Sequence, residues 1–391
     1  MGRRFLPIKL MILIIIIVSI KFTSAQSQTF AVIGDFGMGN QAESDVASLV
    51  KSWNPDFIIT VGDDNYPDGK ASTIDRHIGY DYHQFIKPYT GIYGTGSQDI
   101  NRFWPVPGNH DWNTANLQPY RDFFTLPNNE YYYNIIIGDI EFFMIDSDDH
   151  EPDKNSYNSV QGNWMKDKIL NSTAKWKIAV FHHAAYSSDS NHGNASIMQW
   201  PFEDWGIHAT LSGHAHTYER ILRDDNNDSD SLVYFVNGLG GANKYGFTTP
   251  VAGSIVRYNS DWGAMKVSET QGKLLFQFYT RTGILVDSYS VSDTKVGIDE
   301  PNLKTDYRLF QNYPNPFNPT TTIMYTIPRS GFVDLTIFDV LGRKVATLIN
   351  DNQIAGDYSI KFDGSGLSSG VYIYRLKVDD FISIKKLVLM K

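Results

Sequence analysis

The 391-residue sequence contains no cysteine. That absence rules out disulfides and thiolate metal sites, so any metal must be held by oxygen and nitrogen donors. Without cross-links, stability has to come from buried apolar surface, and the chain is long enough for two or three domains that each enclose a core. Basic residues are also in deficit, with 34 Lys and Arg against 43 Asp and Glu and a formal charge of −9. A balance of that sign repels polyanions, which argues against nucleic acid as the main ligand and favours small substrates drawn in by bound cations. Long apolar runs are scarce too. The strongest, Leu10 to Ile20, covers eleven residues, too few to span a bilayer. Arg3, Arg4 and Lys9 precede it and the small residues Thr23, Ser24 and Ala25 follow it, so residues 1–25 read as a secretory signal peptide. Its cleavage would leave no stable transmembrane segment and a more acidic mature chain.

Apolar residues make up 42% of the sequence, which places it among ordered globular proteins. From Thr29 onward one pattern recurs, a short apolar or β-branched run followed by a cluster of Gly, Asp, Asn or His. Thr29 to Asp35, Phe57 to Asp63, Phe103 to Asp111, Trp176 to His183 and Ala209 to His216 all follow it, with the polar residues just after a strand. In Thr60 to Tyr66 the strand ends on the carboxylate of Asp63, with a phenol three residues on. Between the clusters, apolar spacing predicts helices over Gln41–Ser52 and Ser159–Leu170. Strands alternating with helices imply an α/β layered fold with its ligand cleft outside the carboxyl ends of the strands, where the clusters fall. A hairpin turning at Gly138 and Asp139 joins Ile135–Ile137 to Glu141–Asp146, and Val233–Asn237 and Leu274–Tyr279 read as continuing the sheet. The stretch Pro67 to Arg102, with Tyr80, Tyr82, Tyr89 and Tyr93 among several glycines, has no clear period. It reads either as a wall of the site entrance or as a packed aromatic excursion.

Composition turns polar near Ser292 to Lys304, which divides a first domain over 26–292 from a linker over 293–308. Beyond it, Pro314, Pro316 and Pro319 forbid helix. Short strand-like runs follow at Thr321–Ile327, Val333–Phe338, Lys344–Ile349, Tyr358–Phe362, Val371–Val378 and Ile382–Met390, with glycines in their turns. Residues 309–391 therefore read as a small all-β, immunoglobulin-like sandwich. This tail resembles the C-terminal sorting domain of type IX secretion substrates, which opens on the same NYPNPFNP stretch as Asn312 to Pro319. Phe338 to Val345, Leu367 to Tyr372 and the closing Lys385 to Lys391 extend the resemblance. It implies a Gram-negative bacterium whose outer-membrane type IX machinery is the partner, and a secreted or cell-surface location.

The five strand-end clusters supply Asp35, Asp63, Tyr66, Asn109, His110, His182, His183, His214 and His216. Together they match the motif set of metallophosphoesterases, and in detail the chain resembles the purple acid phosphatases, binuclear metallohydrolases with an iron-binding tyrosine. The family pattern is Asp-x-Gly, Gly-Asp-x-x-Tyr, Gly-Asn-His-Asp/Glu, a strand-end His and Gly-His-x-His. It stands here as Asp35 to Gly37, Gly62 to Tyr66, Gly108 to Asp111, Ala179 to His182 and Gly213 to His216, within Thr29 to Ser292. The fold implied is the metallophosphoesterase β-sandwich flanked by helices. Other metallophosphoesterases carry His at the position of Gly37, so a ligand lost there is exchanged for Tyr66. A phenolate is a hard anionic oxygen that favours Fe(III). The resemblance implies Fe(III) held by Asp35, Tyr66, His216 and a shared Asp63. A divalent ion, Zn, Mn or Fe(II), would take Asp63, Asn109, His182 and His214. The implied reaction is acid-phosphatase hydrolysis of small phosphomonoesters by hydroxide generated at the metals, with Asp63 as bridge and His110 protonating the leaving alkoxide.

The chain departs from the family pattern at the fourth motif, where Ala179 replaces the usual Val and the proline expected after the ligand is absent. The doublet of His182 and His183 leaves two registers. The continuation through Tyr186 favours His182 as the ligand, and strand alternation sets His183 on the opposite face, as a substrate-side or supporting group. Tyr218, Glu219 and Arg220 read equally as support for the site and as a packed strand exit. The turn Gly238 to Gly241 stays outside the site, and His77, His83, His150, His192 and His208 fit no pattern and read as surface or structural. Two rival functions share these residues: a phosphodiesterase or nucleotide hydrolase with the same metals, and a surface-binding protein on an inactive scaffold.

Overall fold

The computed structural model describes residues 28–224, 231–270, 272–292, 307–327, 331–353, 356–378 and 381–391. The signal peptide and nearly all of the linker expected from the sequence lie outside them. Strand β1 (Thr29–Ile33) is followed by the helix Gln41–Ser52, then by β2 (Phe57–Thr60) and β3 (Phe103–Trp104). The hairpin β4 (Tyr133–Ile137) and β5 (Ile140–Met144) leads to the helix Val160–Asn171. Next come β6 (Trp176–His183), β7 (Ala209–Gly213), β8 (Tyr218–Arg223) and β9 (Leu232–Asn237). The first domain closes with β10 (Ser254–Tyr258), β11 (Gly263–Thr270), β12 (Lys273–Thr280) and β13 (Leu285–Ser292).

These strands form two sheets, one of six strands in the order β13-β12-β11-β1-β2-β3 and one of seven in the order β10-β8-β9-β7-β6-β5-β4. Aromatic side chains from facing strands fill the space between them. Phe142 meets Phe30 and Phe57 edge-on with ring centroids at 5.2 and 5.6 Å, and Phe235 stacks on Phe276 at 4.8 Å. The segments expected to share one sheet, around Phe235 and Phe276, thus lie in different sheets and face each other across the core. Alternation along a strand reveals that one face is buried, but not which sheet supplies the other half.

Both helices pack on the sandwich, as their sequences dictate. Asn40 caps the first by accepting the Glu43 backbone N–H at 2.9 Å, and the apolar stripe of Val46, Ala47 and Val50 is buried in the main core. Each such valine contributes about 1.5–3 kcal/mol by leaving water. The second starts at Ser159, whose hydroxyl accepts the Gly162 N–H, and buries Met165 and Ile169 against Phe143, Ala179 and Phe181 of the larger sheet. The stretch from Pro67 winds through helical turns at Ala71–Ile74, Asp75–Gly79, Tyr80–Tyr82 and His83–Phe85. Ile74, Ile78, Tyr82, Phe85 and Ile86 carry it into the main core, while Pro67 at its start accepts a hydrogen bond from His110.

The parallel pairings β1/β2/β3 in one sheet and β5/β6/β7/β9 in the other direct the carboxyl ends of these strands to the cluster-bearing loops. The C-terminal residues form β14 (Arg308–Leu309), β15 (Thr320–Ile327), β16 (Gly331–Phe338), β17 (Lys344–Gln353), β18 (Gly356–Asp363), β19 (Gly370–Val378) and β20 (Phe381–Leu389). They make a three-stranded sheet β14-β15-β18 and a four-stranded sheet β17-β16-β19-β20 around Ile323, Tyr325, Leu335, Ile337, Tyr374 and Leu376. No helix among the described residues is long and apolar enough to cross a membrane.

Candidate metal centre

Three residues at strand ends adopt left-handed backbone: Asp35 at φ 53°, Asp63 at φ 55° and His214 at φ 67°. Each non-glycine residue in that region costs roughly 1–3 kcal/mol, a strain that concentrates at functional sites. The cost is tied here to turning side chains out of the strand direction into the cleft.

Their donor atoms converge in two groups that share Asp63. The Tyr66 hydroxyl lies 2.8 Å from Asp63 Oδ2, 3.3 Å from Asp35 Oδ1 and 3.0 Å from His216 Nε2. On the other side, His182 Nε2 is 3.5 Å from Asp63 Oδ1, 3.1 Å from Asn109 Oδ1 and 3.2 Å from His214 Nδ1. One carboxylate oxygen of Asp63 therefore faces each group. The structure brings together all seven residues expected to bind metal, and Asp35, Asp63 and His182 present ligand atoms within 4.8 Å of one another.

Backbone carbonyls set the tautomers of three rings. His182 Nδ1 donates to Val61 O at 2.9 Å, His216 Nδ1 to Asn243 O at 2.6 Å and His110 Nδ1 to Pro67 O at 2.6 Å. A carbonyl only accepts, so the neutral rings carry their proton at Nδ1 and leave Nε2 with a lone pair toward the cleft.

The buried charges pair across the cleft, and a metal entering there would displace the Nε2 proton of His182. Burial disfavours a charge on His182, yet Asp63 beside it holds the ring's pKa up at about 10. Burial would likewise raise Asp63, but His182 keeps it well below the usual carboxylate range. Burial, and then the charges of Asp63 and Asp35, push the Tyr66 phenol well above its ordinary value. Two buried carboxylates beside a phenol favour a cation among them, a role that protonated His182 fills and that a metal ion would fill in its place. Hard oxygen donors on the Tyr66 side and mixed nitrogen and oxygen donors on the Asn109 side fit a binuclear metal centre.

Close backbone approach explains two glycines. A side chain at Gly37 would overlap the carbonyl of Asp64, because Tyr66 N donates to Gly37 O at 2.7 Å and draws the 64–66 backbone down onto it. A histidine at 37 and the Tyr66 loop in its present path exclude each other. At Gly62, with φ 94°, a Cβ would strike the His182 ring.

His110 lies at the opening, its side chain 34% exposed, with its backbone N–H on Asp63 Oδ1 at 2.9 Å and Nε2 3.9 Å from Asp63 Oδ2. His183 corrects the alternation argument. The pairing of β6 with β7 steps from Val180 opposite Leu211 to His183 opposite Gly213, one residue more on β6 than on β7. This irregularity, a bulge, re-aims the doublet so that both rings approach His214, at 5.0 Å for His182 and 4.4 Å for His183. His183 Nδ1 turns to Ser147 Oγ at 2.8 Å, while burial and the neighbouring His182 push its pKa down to about 4.

His192, read from sequence as surface or structural, belongs to the site rim. Its ring lies 3.9 Å from that of His214, and Tyr245 stacks on His216 at 4.1 Å. Buried Asp189 places it by accepting the backbone N–H groups of Asn191, His192 and Gly193. An Asp three residues before a His is the one sequence signal for this loop. Tyr218 and Arg220 both bind Asp287 at 2.7 Å and tie β8 to β13, and Glu219 accepts the Ser188 N–H. The turn Gly238 to Gly241 packs under the site, with Gly240 N on Gly34 O at 2.9 Å. His83, His150 and His208 pair with Gly79 O, Asp148 and Lys177 N, and His77 packs against Gly39.

The two-sheet sandwich with these donors at its strand ends has the metallophosphoesterase fold. Residues 28–218 match the family model of the calcineurin-like phosphoesterases, and residues 311–390 match that of the secretion system C-terminal sorting domain. The chain thus carries a calcineurin-like phosphoesterase domain followed by a sorting domain, which indicates type IX handling and a secreted or cell-surface location. Among curated relatives, purple acid phosphatase 3 of Arabidopsis thaliana is 27% identical over 64% of this chain and 74% of its own length. Purple acid phosphatase 22 of the same plant is 25% identical over 54% of this chain, which spans 50% of that relative. The fold is shared with a purple acid phosphatase from yellow lupin seeds (TM-score 0.54, 16% identity, 68% of this chain and 54% of that one). It is shared as well with GAP50, the anchor in the inner membrane complex of Plasmodium (TM-score 0.53, 18% identity, 69% and 90%).

Proposed function

We propose that this protein is an exported acid phosphatase that hydrolyses small phosphomonoesters at acid to neutral pH. The observation that carries the reading is Asp63, whose two oxygens face two separate donor groups. Asp35, Tyr66, His216 and Asp63 would hold Fe(III), and Asp63, Asn109, His182 and His214 a divalent Zn, Mn or Fe ion. When bound, such a pair supplies an activated water and charge neutralisation for the phosphoryl oxygens.

The chain's own residues do the rest. Val61 O and Asn243 O keep the lone pairs of His182 and His216 pointed inward. Pro67 O holds His110 by Nδ1, so that a protonated ring delivers its second proton from Nε2 to the departing alkoxide oxygen. Before that delivery the domain has travelled through the membranes, its signal peptide spanning residues 1–25 and its sorting tail residues 309–391. The test compares turnover of p-nitrophenyl phosphate and bis-p-nitrophenyl phosphate by the metal-loaded protein. The monoester is expected to be the better substrate, and a clear preference for the diester would replace this reading by that of a phosphodiesterase.

A further inference from the structure

His214 differs from the other two imidazoles of the donor set in how its ring is held. His182 and His216 are each fixed by an Nδ1 bond to a carbonyl. His214 spends Nδ1 on the cleft, 3.2 Å from His182 Nε2, and its backbone N–H goes to Asp35. Among the described residues, no carbonyl or carboxylate bonds to its ring. It is instead flanked by two other imidazoles, His192 at 3.9 Å and His183 at 4.4 Å.

The His183 side of that sandwich is itself built. Ser147 is buried, just beyond the end of β5, and its hydroxyl oxygen accepts the His183 backbone N–H at 2.9 Å while lying 2.8 Å from the Nδ1 of the same residue. One side chain thus grips both the backbone and the ring. Ser147 is held in turn by Asn155, which donates to its carbonyl at 3.0 Å. The bulge in β6 is what allows the grip, since regular alternation would have carried His183 away from His214.

A metal-binding histidine ordinarily has its ring oriented by a hydrogen bond from its second nitrogen, and loss of such an outer partner costs about 10–100-fold in metal affinity. We propose that Ser147 and His183 replace that hydrogen bond by packing, so that His183 is a positioning residue for His214 and thereby for the divalent ion alone. The proposal rests on the reading of His214 as a ligand of that ion. His183 sets occupancy of one half of the centre and leaves the Tyr66 half untouched.

The test measures iron content, visible spectrum and divalent-ion affinity by chelator competition on the purified full chain, for wild type, His183→Ala, Ser147→Ala and His183→Phe. The expected result for His183→Ala is unchanged iron and colour with the divalent ion bound about 10–100-fold more weakly. Ser147→Ala should weaken it in the same direction by less. His183→Phe, which keeps a flat ring against His214, should recover most of the affinity, as a merely structural defect would not. Divalent-ion affinity unchanged in both His183→Ala and Ser147→Ala overturns the proposal, as does a loss of iron equal to the loss of the divalent ion. A wild type that binds iron but no divalent ion overturns the two-metal reading and the proposal with it.

Discussion

The two donor groups that meet at Asp63 differ in charge and in enclosure. On one side stand Asp35, Tyr66 and His216, all buried, with the Tyr66 hydroxyl within 3.3 Å of both the Asp35 carboxylate and the shared Asp63 carboxylate. On the other stand a neutral amide and two imidazoles, of which only His182 is fully buried while Asn109 and His214 are partly open. Negative charge is thus concentrated on one half and nitrogen donors on the other. Such a gradient sorts cations by charge, with the trivalent ion gaining most on the anionic side and the divalent ion losing least on the neutral one. On the proposed reading, the buried half would set an oxidation state and the open half would leave room for substrate.

Asp63 joins the halves, so removing it should break the comparison altogether. Asp63→Ala is expected to lose both metals and fall to background activity, which metal analysis alongside phosphatase assay would register. His110→Gln should keep both metals yet lose roughly 10²–10⁴-fold in kcat. That loss should be largest for alkyl phosphates, whose leaving groups need a proton, and smallest for p-nitrophenyl phosphate. A uniform loss would make His110 a positioning group instead. The smallest change should follow Asn109→Ala, which withdraws one neutral donor from the open half. Iron should stay, and activity should return when the divalent ion is supplied in excess, with apparent metal affinity lowered by at least about 10–100-fold.

The donors of both halves were legible from sequence while the supports of the open half were not, and the reason is physical. Asp35 lies two residues past β1, Asp63 three past β2 with Tyr66 three further on, His182 near the end of β6 and His214 just after β7, so each of these donors is reached from its strand by a short, countable distance. The supports of the open half depend on longer excursions. His192 reaches His214 only because Asp189 folds residues 189–193 back on themselves, and Ser147 meets His183 only because β6 bulges. Neither a capped loop nor a bulge leaves a period to read. The two-sheet division was hidden in the same way, since Phe235 and Phe276 alternate alike but belong to opposite walls. Pro67 to Arg102 concealed its packing because α, π and 3₁₀ turns succeed one another, so its buried residues at 74, 78, 82 and 85 step by four and then by three. The exclusion of a side chain at Gly37 by the Asp64 carbonyl could be seen only with the Tyr66 loop in place.

The central claim is that Tyr66 binds ferric iron in the anionic half, and a metal analysis with a visible spectrum on wild type and Tyr66→Phe tests it most directly. The account predicts two metals with iron among them, and a phenolate-to-Fe(III) charge-transfer band that disappears in Tyr66→Phe. A colourless wild type containing oxidised iron, or a band that survives the substitution, would contradict it.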